Sequence, residues 1–263
     1  MSSYNQFCPV AQALEVVGER WTLLVIRELL CGSHRFSDLQ RGVPLMSRSV
    51  LAERLRSLED AGVIERRAGG YFLTRAGDEL RPLVIACGEW GKRWAERKVK
   101  NADVDVGLLM WDIQRRIDVG ALPSGEVVVE LEFRGAPRGK GRFWLHFKGD
   151  GAELCLTRPA RGIDLTVRTS PRTMAEIWLG DVPFSAALER GDLTIDGPRA
   201  LARAFPEWLK LSLFASVERR TAPLERPATA AAATCPRSEA AAGAADRARA
   251  RRWPAARAGR SRR

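Results

Sequence analysis

Histidine is nearly missing: the chain of 263 residues has 2, His34 and His146, and neither has a second ligand or base at a recognisable spacing. That removes the common routes to metal-assisted or histidine-based catalysis. A nucleophile elbow, a paired-carboxylate motif, a Walker loop and a dinucleotide fingerprint are missing too. The glycines of RGAPRGKG join two strands as a turn; the Gly-Lys-Ser/Thr ending and following helix of a phosphate loop are not there. The expectation is a non-enzyme with no catalytic residues, no metal and no cofactor. Cysteine is sparse: Cys8, Cys31, Cys87, Cys155 and Cys235 are odd in number, widely spaced and without a CxxC, which excludes a disulfide framework or zinc site. No uncharged run nears the ~18 residues of a transmembrane helix, and MSSYNQFCP has neither the basic region nor the apolar core of a signal peptide. A cytoplasmic protein with no membrane partner is expected.

What is present is a globular composition, with 45% hydrophobic residues and a net charge of +11. The charge is unevenly spread. Residues 1–98 carry 15 basic and 12 acidic groups, residues 99–220 carry 18 and 17, and residues 221–263 carry 10 and 3. The excess therefore sits in an Ala/Arg-rich tail with few large apolar residues, which cannot offset its ordering entropy and is expected to be disordered. Such a tail adds sequence-independent phosphate contacts, or is an incidental read-through of GC-rich coding sequence.

In the first hundred residues the hydrophobic period is helical. Val10, Ala13, Leu14 and Val17 recur at helical spacing before Gly18, and Trp21, Leu24, Val25 and Leu29 repeat the pattern up to Cys31-Gly32. FSDLQRG is a third short helix, and Ser47 is an N-cap for a fourth that runs to Ala61 and stops at Gly62. VIERR and YFLT, separated by Ala68-Gly69-Gly70, read as a β-hairpin. This order is that of a winged helix-turn-helix. At about 100° per residue, the fourth helix gathers Leu51, Leu55 and Leu58 on one side and Ser49, Ala52, Glu53 and Arg56 on the other. In that motif the N-terminal part of the second helix enters the major groove, so Arg48, Ser49, Ala52 and Arg56 fall near base edges or phosphates, and Arg66 and Arg67 mark the wing.

The segment FCPVAQALEVVGERWTLLVIRELL, with RFSDLQRGVPLMSRSVLAERLRSLEDAGVIERR, YFLTRAGDEL and EWGKRW, resembles the HxlR-type winged helix regulators. The resemblance covers roughly residues 7 to 97. It implies a dimeric DNA-binding regulator with Ser47, Arg48, Ser49, Arg54 and Arg56 on the recognition helix and Arg66 and Arg67 on the wing. Arg54 is contested, because the helical wheel puts it at the edge of the packed face. Residues 75–98 read as one long helix whose stripe of Leu80, Leu83, Val84, Cys87, Trp90 and Trp94 wants a partner. Leu83, Cys87, Trp90 and Trp94 are the expected dimer interface, and a two-fold dimer implies an inverted-repeat operator in double-stranded DNA. Cys8, just before a helix start, matches the position through which some members of that family sense oxidants. Cys31 and Cys87 fall in apolar helical stripes and read as packing residues.

KVKNADVD is a polar link, after which one helix and several alternating strands follow, with further helices gathered late: an α+β sheet-and-helix region. Expected boundaries are 1–98 for DNA binding and dimerisation, 104–217 for the second domain and 221–263 for the tail. The stretch TVRTSPRTMAEIWLGDVPFSAALERGDLTIDGPRALARAF resembles the sterol-carrier-protein-like fold. That resemblance implies an apolar tunnel for a small hydrophobic ligand, with Leu109, Met110, Phe133, Phe143, Phe147, Ile177, Trp178, Phe184 and Leu188 as lining candidates; each can equally be closed core. The expected function is a homodimeric, sequence-specific transcription repressor modulated by that ligand. Two alternatives stand: redox control through Cys8, or a lipid-binding carrier without specific DNA binding.

Overall fold

A computed structural model of the chain describes residues 3–95, 101–148 and 151–220. The basic tail and its expected disorder lie outside the described residues.

Helix α1 (Pro9–Val17) opens with proline at its first position, where no backbone N–H is needed. It stops at Gly18, where a Cβ would lie 2.4 Å from the Leu14 carbonyl oxygen. Helix α2 (Thr22–Leu30) starts after Trp21, which holds a left-handed φ of 79°. Helix α3 (Phe36–Gly42) and helix α4 (Arg48–Asp60) follow, and Gly62 ends the run at φ +70°. Strands β1 (Ile64–Arg67) and β2 (Gly70–Leu73) pair antiparallel with Ile64 opposite Leu73. Their core is Val25, Ile26 and Leu29 of α2, Leu39 of α3, Leu51, Leu55 and Leu58 of α4, and Ile64 of the hairpin, all buried. This is a helical helix-turn-helix region with a two-stranded wing.

The single helix expected over 75–98 is two: α5 (Arg75–Asp78) and α6 (Arg81–Trp94). Pro82 lies in the first turn of α6; it has no N–H to donate back toward Asp78 and its ring would crowd that carbonyl, which favours a new helix starting here over a continuous one.

The second region begins with α7 (Val106–Gln114), capped by the Asp105 carboxylate, which accepts from Leu108 N–H. Strands β3 (Val127–Phe133), β4 (Arg142–Lys148), β5 (Gly151–Cys155), β6 (Leu165–Thr169) and β7 (Leu193–Asp196) form one sheet in the order β5-β4-β3-β6-β7. Only the β3–β6 pair is parallel. Alternate residues share a face, so Val127, Val129, Leu131 and Phe133 stand beside Phe143, Leu145 and Phe147 and beside Leu165 and Val167. On that face pack α7, α8 (Pro171–Trp178), α9 (Phe184–Glu189) and α10 (Arg199–Trp208). Phe147, Phe205 and Trp208 meet edge to face at its centre.

Two polar junctions join the regions. Glu28 of α2 is completely buried; its carboxylate accepts from Arg27, from Ser33 at 3.3 Å and from Arg115, just beyond α7, at 2.7 Å. Gly42 leaves room for that carboxylate, since a Cβ there would lie 1.9 Å from it. On the other side, buried Lys92 of α6 donates to the Leu179 carbonyl at 2.8 Å and pairs with Asp181, while Gly88 backs onto the Phe214 ring.

Candidate nucleic-acid interface

The recognition helix is oriented by burial of one face. Leu51, Leu55 and Leu58 are at most 1% exposed, so the opposite face of α4 is turned outward, and Ser47, Arg48, Ser49, Glu53 and Arg56 are exposed there. Its N-terminus carries a serine cap. Ser47 accepts from Val50 N–H at 3.3 Å and shares a 3.0 Å hydrogen bond with Ser49, and the free amide ends of the first turn carry partial positive charge. Arg48 lays its guanidinium 5.3 Å from the centre of the Phe36 ring, and Arg56 has no ion pair among the described residues. Both cations therefore remain available to phosphates or base edges.

Arg54 departs from the expected set. Its side chain is only 16% exposed and pairs with Glu19 in the α1–α2 turn, with Glu53 at 3.5 Å. It ties α4 to the preceding turn, because the buried leucine face leaves position 54 at the seam between packed and open sides.

The wing is short and anchored. Tyr71 N–H donates to the His34 carbonyl at 2.9 Å, His34 Nδ1 lies 3.1 Å from the Tyr71 carbonyl, and the His34 ring stacks on Phe72 at 4.3 Å. Gly70 permits this approach: a Cβ would lie 2.2 Å from the His34 oxygen. Arg66 and Arg67 are exposed, lying over the rings of Tyr71 and Phe72, and Arg67 also pairs with Glu65. One exposed cation beside them, Arg35, went unassigned in the sequence; its neighbourhood with the wing arises only from the His34–Tyr71 pairing.

Residues 16–99 match the model of the HxlR-like helix-turn-helix family. The uncharacterized HTH-type transcriptional regulator YvaP of Bacillus subtilis is 33% identical over 100 residues, which are 35% of this chain and 93% of that protein. The chain belongs to the HxlR-like helix-turn-helix family. A second relative, the uncharacterized HTH-type transcriptional regulator Mb3122 of Mycobacterium bovis, is 39% identical over 97 residues, 34% of this chain; the match spans only 60% of that relative's length. Among solved structures, quinone-bound YodB from Bacillus subtilis shares 34% identity over 32% of this chain and 97% of its own, at a TM-score of 0.30.

Within the HxlR-like region, α6 has two unlike faces. Leu83, Cys87 and Trp90 are exposed, whereas Gly88 and Lys92 meet residues 179–214. Trp94 is half-buried, with the Arg220 guanidinium 4.5 Å from its ring centre, so its own chain already covers part of it. Phe7, Val10 and Leu14 are exposed at and before α1. Cys8 is half-buried as the N-cap residue of α1, and its side chain makes no capping bond. Cys31 and Cys87 are exposed and not packing residues: Cys31 falls just past the last turn of α2, and Cys87 lies on the outward face of α6.

The nine expected ligand-lining residues do not surround one space. Ile177, Trp178 and Phe184 line a pocket of about 550 Å³ with Met174, Leu209 and Ala215. Phe143 and Phe133 lie at two other clefts. Leu109, Met110 and Phe147 are at most 6% exposed in the closed core, and Leu188 is 39% exposed at the surface. Alternation placed the phenylalanines on the inner face correctly, but whether helices close over a residue or stand off from it is not a periodic property. His34 and His146 have structural partners, the latter Glu126 at 3.0 Å. Among the described residues no three His, Cys, Asp or Glu gather as a metal site.

Proposed function

We propose that this HxlR-like chain is a cytoplasmic, homodimeric, sequence-specific DNA-binding transcription regulator, a repressor, whose second region responds to a small apolar ligand. The observation that carries the reading is the outward face of α4, where Ser47, Arg48, Ser49 and Arg56 stand at a capped helix N-terminus opposite a leucine face that is fully packed. Wing residues Arg66 and Arg67 add backbone or minor-groove contacts. Leu83, Cys87 and Trp90 of α6, with exposed Phe7, Val10 and Leu14, supply the apolar surface of the dimer. A two-fold pair reads an inverted repeat. Residues 1–98 are the DNA-binding and dimerisation domain and residues 104–217 a sterol-carrier-like domain. In support, a five-stranded sheet carries its helices on one face and leaves the 550 Å³ pocket beneath α8, a size suited to a small apolar molecule.

The test is a titration against DNA flanking the chain's own gene at physiological salt, with scrambled DNA as competitor. Preference for the native fragment that is lost in Arg48→Ala supports the reading. Tight lipid binding with no DNA preference, there or in a wider operator selection, favours the carrier instead.

Cys8 supports a second reading, redox control, because its thiol is half-exposed and uncommitted at a helix N-cap. Cys8→Ser then abolishes an oxidant-induced change in DNA affinity; an unchanged response refutes it.

A further inference from the structure

A second cleft, of about 440 Å³, lies where the end of α3 meets α7 and the edge of the large sheet. It is separate from the pocket beneath α8, and its walls come from both regions: Arg41 and Pro44 from the helix-turn-helix, Leu108, Trp111 and Gln114 from α7, and Phe143 and Leu154 from the sheet. The apolar share of this lining favours a compact, largely hydrophobic molecule.

The polar groups narrow its chemistry. Two carboxylates stand at the cleft and both are engaged: Asp105 accepts from Leu108 N–H at 3.0 Å, and Glu153 from Lys148 at 3.3 Å. The cation is not. Arg41 is 60% exposed, pairs loosely with Asp38 at 3.7 Å, and otherwise rests its guanidinium 5.3 Å from the Trp111 ring centre. A guanidinium offers a forked set of donors that matches a carboxylate. Deeper in, Trp111 Nε1 and Gln114 Oε1 are buried without a hydrogen-bond partner among the described residues, although Gln114 Nε2 donates to the Ala152 carbonyl at 2.9 Å. One unsatisfied donor and one unsatisfied acceptor on neighbouring turns are costly unless something pairs with them. A hydroxyl, which both accepts and donates, can pair with either.

We propose that this cleft is a binding site for a small hydroxy-substituted aromatic carboxylate, its acid group on Arg41, its ring among Leu108, Phe143 and Leu154, and its hydroxyl toward Trp111 and Gln114. Because Arg41 and Pro44 flank the turn that leads into α4, an occupant spans the joint between the two regions.

The probe is 6-hydroxy-2-naphthoate, whose hydroxyl and carboxylate sit at opposite ends of the ring system, titrated calorimetrically into the full chain, with 6-hydroxy-2-naphthamide as the uncharged control. Wild type binds the carboxylate saturably, and Arg41→Gln weakens it about three- to tenfold, the range from an exposed ion pair to a charged hydrogen bond, while changing amide affinity by less than about twofold. Arg41 is a surface residue, so the variant keeps its fold, checked by an unchanged melting temperature. Trp111→Phe, which keeps a ring and deletes the N–H, weakens both probes. The proposal is overturned by absence of saturable carboxylate binding, by equal carboxylate affinity in wild type and Arg41→Gln, or by loss on filling the other pocket with Met174→Trp while Arg41→Gln has no effect.

Discussion

Replacing Arg115 by Met tests whether the two regions are held together by a buried charge. The Glu28 carboxylate is fully buried and receives Arg115 Nη1 at 2.7 Å and Nη2 at 3.4 Å; Arg115 also pairs with Asp112. Methionine keeps the aliphatic stem and removes the charge. Stripping one partner from a buried pair costs about 3–5 kcal/mol, because the remaining ion stays desolvated. Here Arg27 Nη2 still lies 2.6 Å from Glu28, and the Ser33 hydroxyl still donates to it, so the expected loss is about 2–4 kcal/mol. An exposed pair would lose about 1 kcal/mol or less. Urea unfolding followed by tryptophan fluorescence measures it, beside Glu28→Gln and the double variant. Because both singles disrupt the same bond, the double variant should be less destabilised than their sum by at least about 1 kcal/mol. A loss below about 0.5 kcal/mol for Arg115→Met with additive singles would refute the reasoning.

Gly42→Ala pushes a methyl into the Glu28 carboxylate and should cost about 1–3 kcal/mol by the same unfolding assay, an effect that a Glu28→Ala background relieves. Arg54→Ala should lower the melting temperature while leaving the DNA affinity of the folded chain unchanged, and Arg48→Ala should do the reverse, weakening DNA about tenfold or more in a gel-shift titration. Burial holds the Asp112 carboxyl above its ordinary 3.8, against the opposing pull of Arg115. The folded chain therefore binds that proton more tightly than the unfolded one. Its contribution is full below the ordinary value and is lost as pH rises through the raised one. The stability of wild type minus that of Asp112→Asn should fall with rising pH across that window; a flat or rising difference contradicts the assignment.

The helix-turn-helix could be read from the sequence because its determinants are local. Leucines at three- and four-residue spacing, Ser47 as a cap and glycines at 18 and 62 act within a turn or two of themselves, and each acts in the structure where the pattern put it. The alternating strands after residue 126 were legible for the same reason, since side-chain direction repeats every second residue. Even Pro82, which broke the expected long helix, carries a local signal.

What tertiary structure alone decided depends on partners far apart in the chain. Arg54 and Arg48 are both arginines on one helix; the helical wheel sets the first at the seam, but it takes Glu19, brought up from the α1–α2 turn, to make it a strut while the second stays open. Glu28 looks like an ordinary solvated helix charge until Arg115 arrives 87 residues later. The apolar residues 109, 110 and 147 read the same as 177, 178 and 184, and all but 184 are buried in one core, yet only the latter three border the pocket beneath α8. Hydrophobic periodicity encodes which way a side chain points; what it meets there is set by how separate elements pack, and that information is distributed over the whole chain.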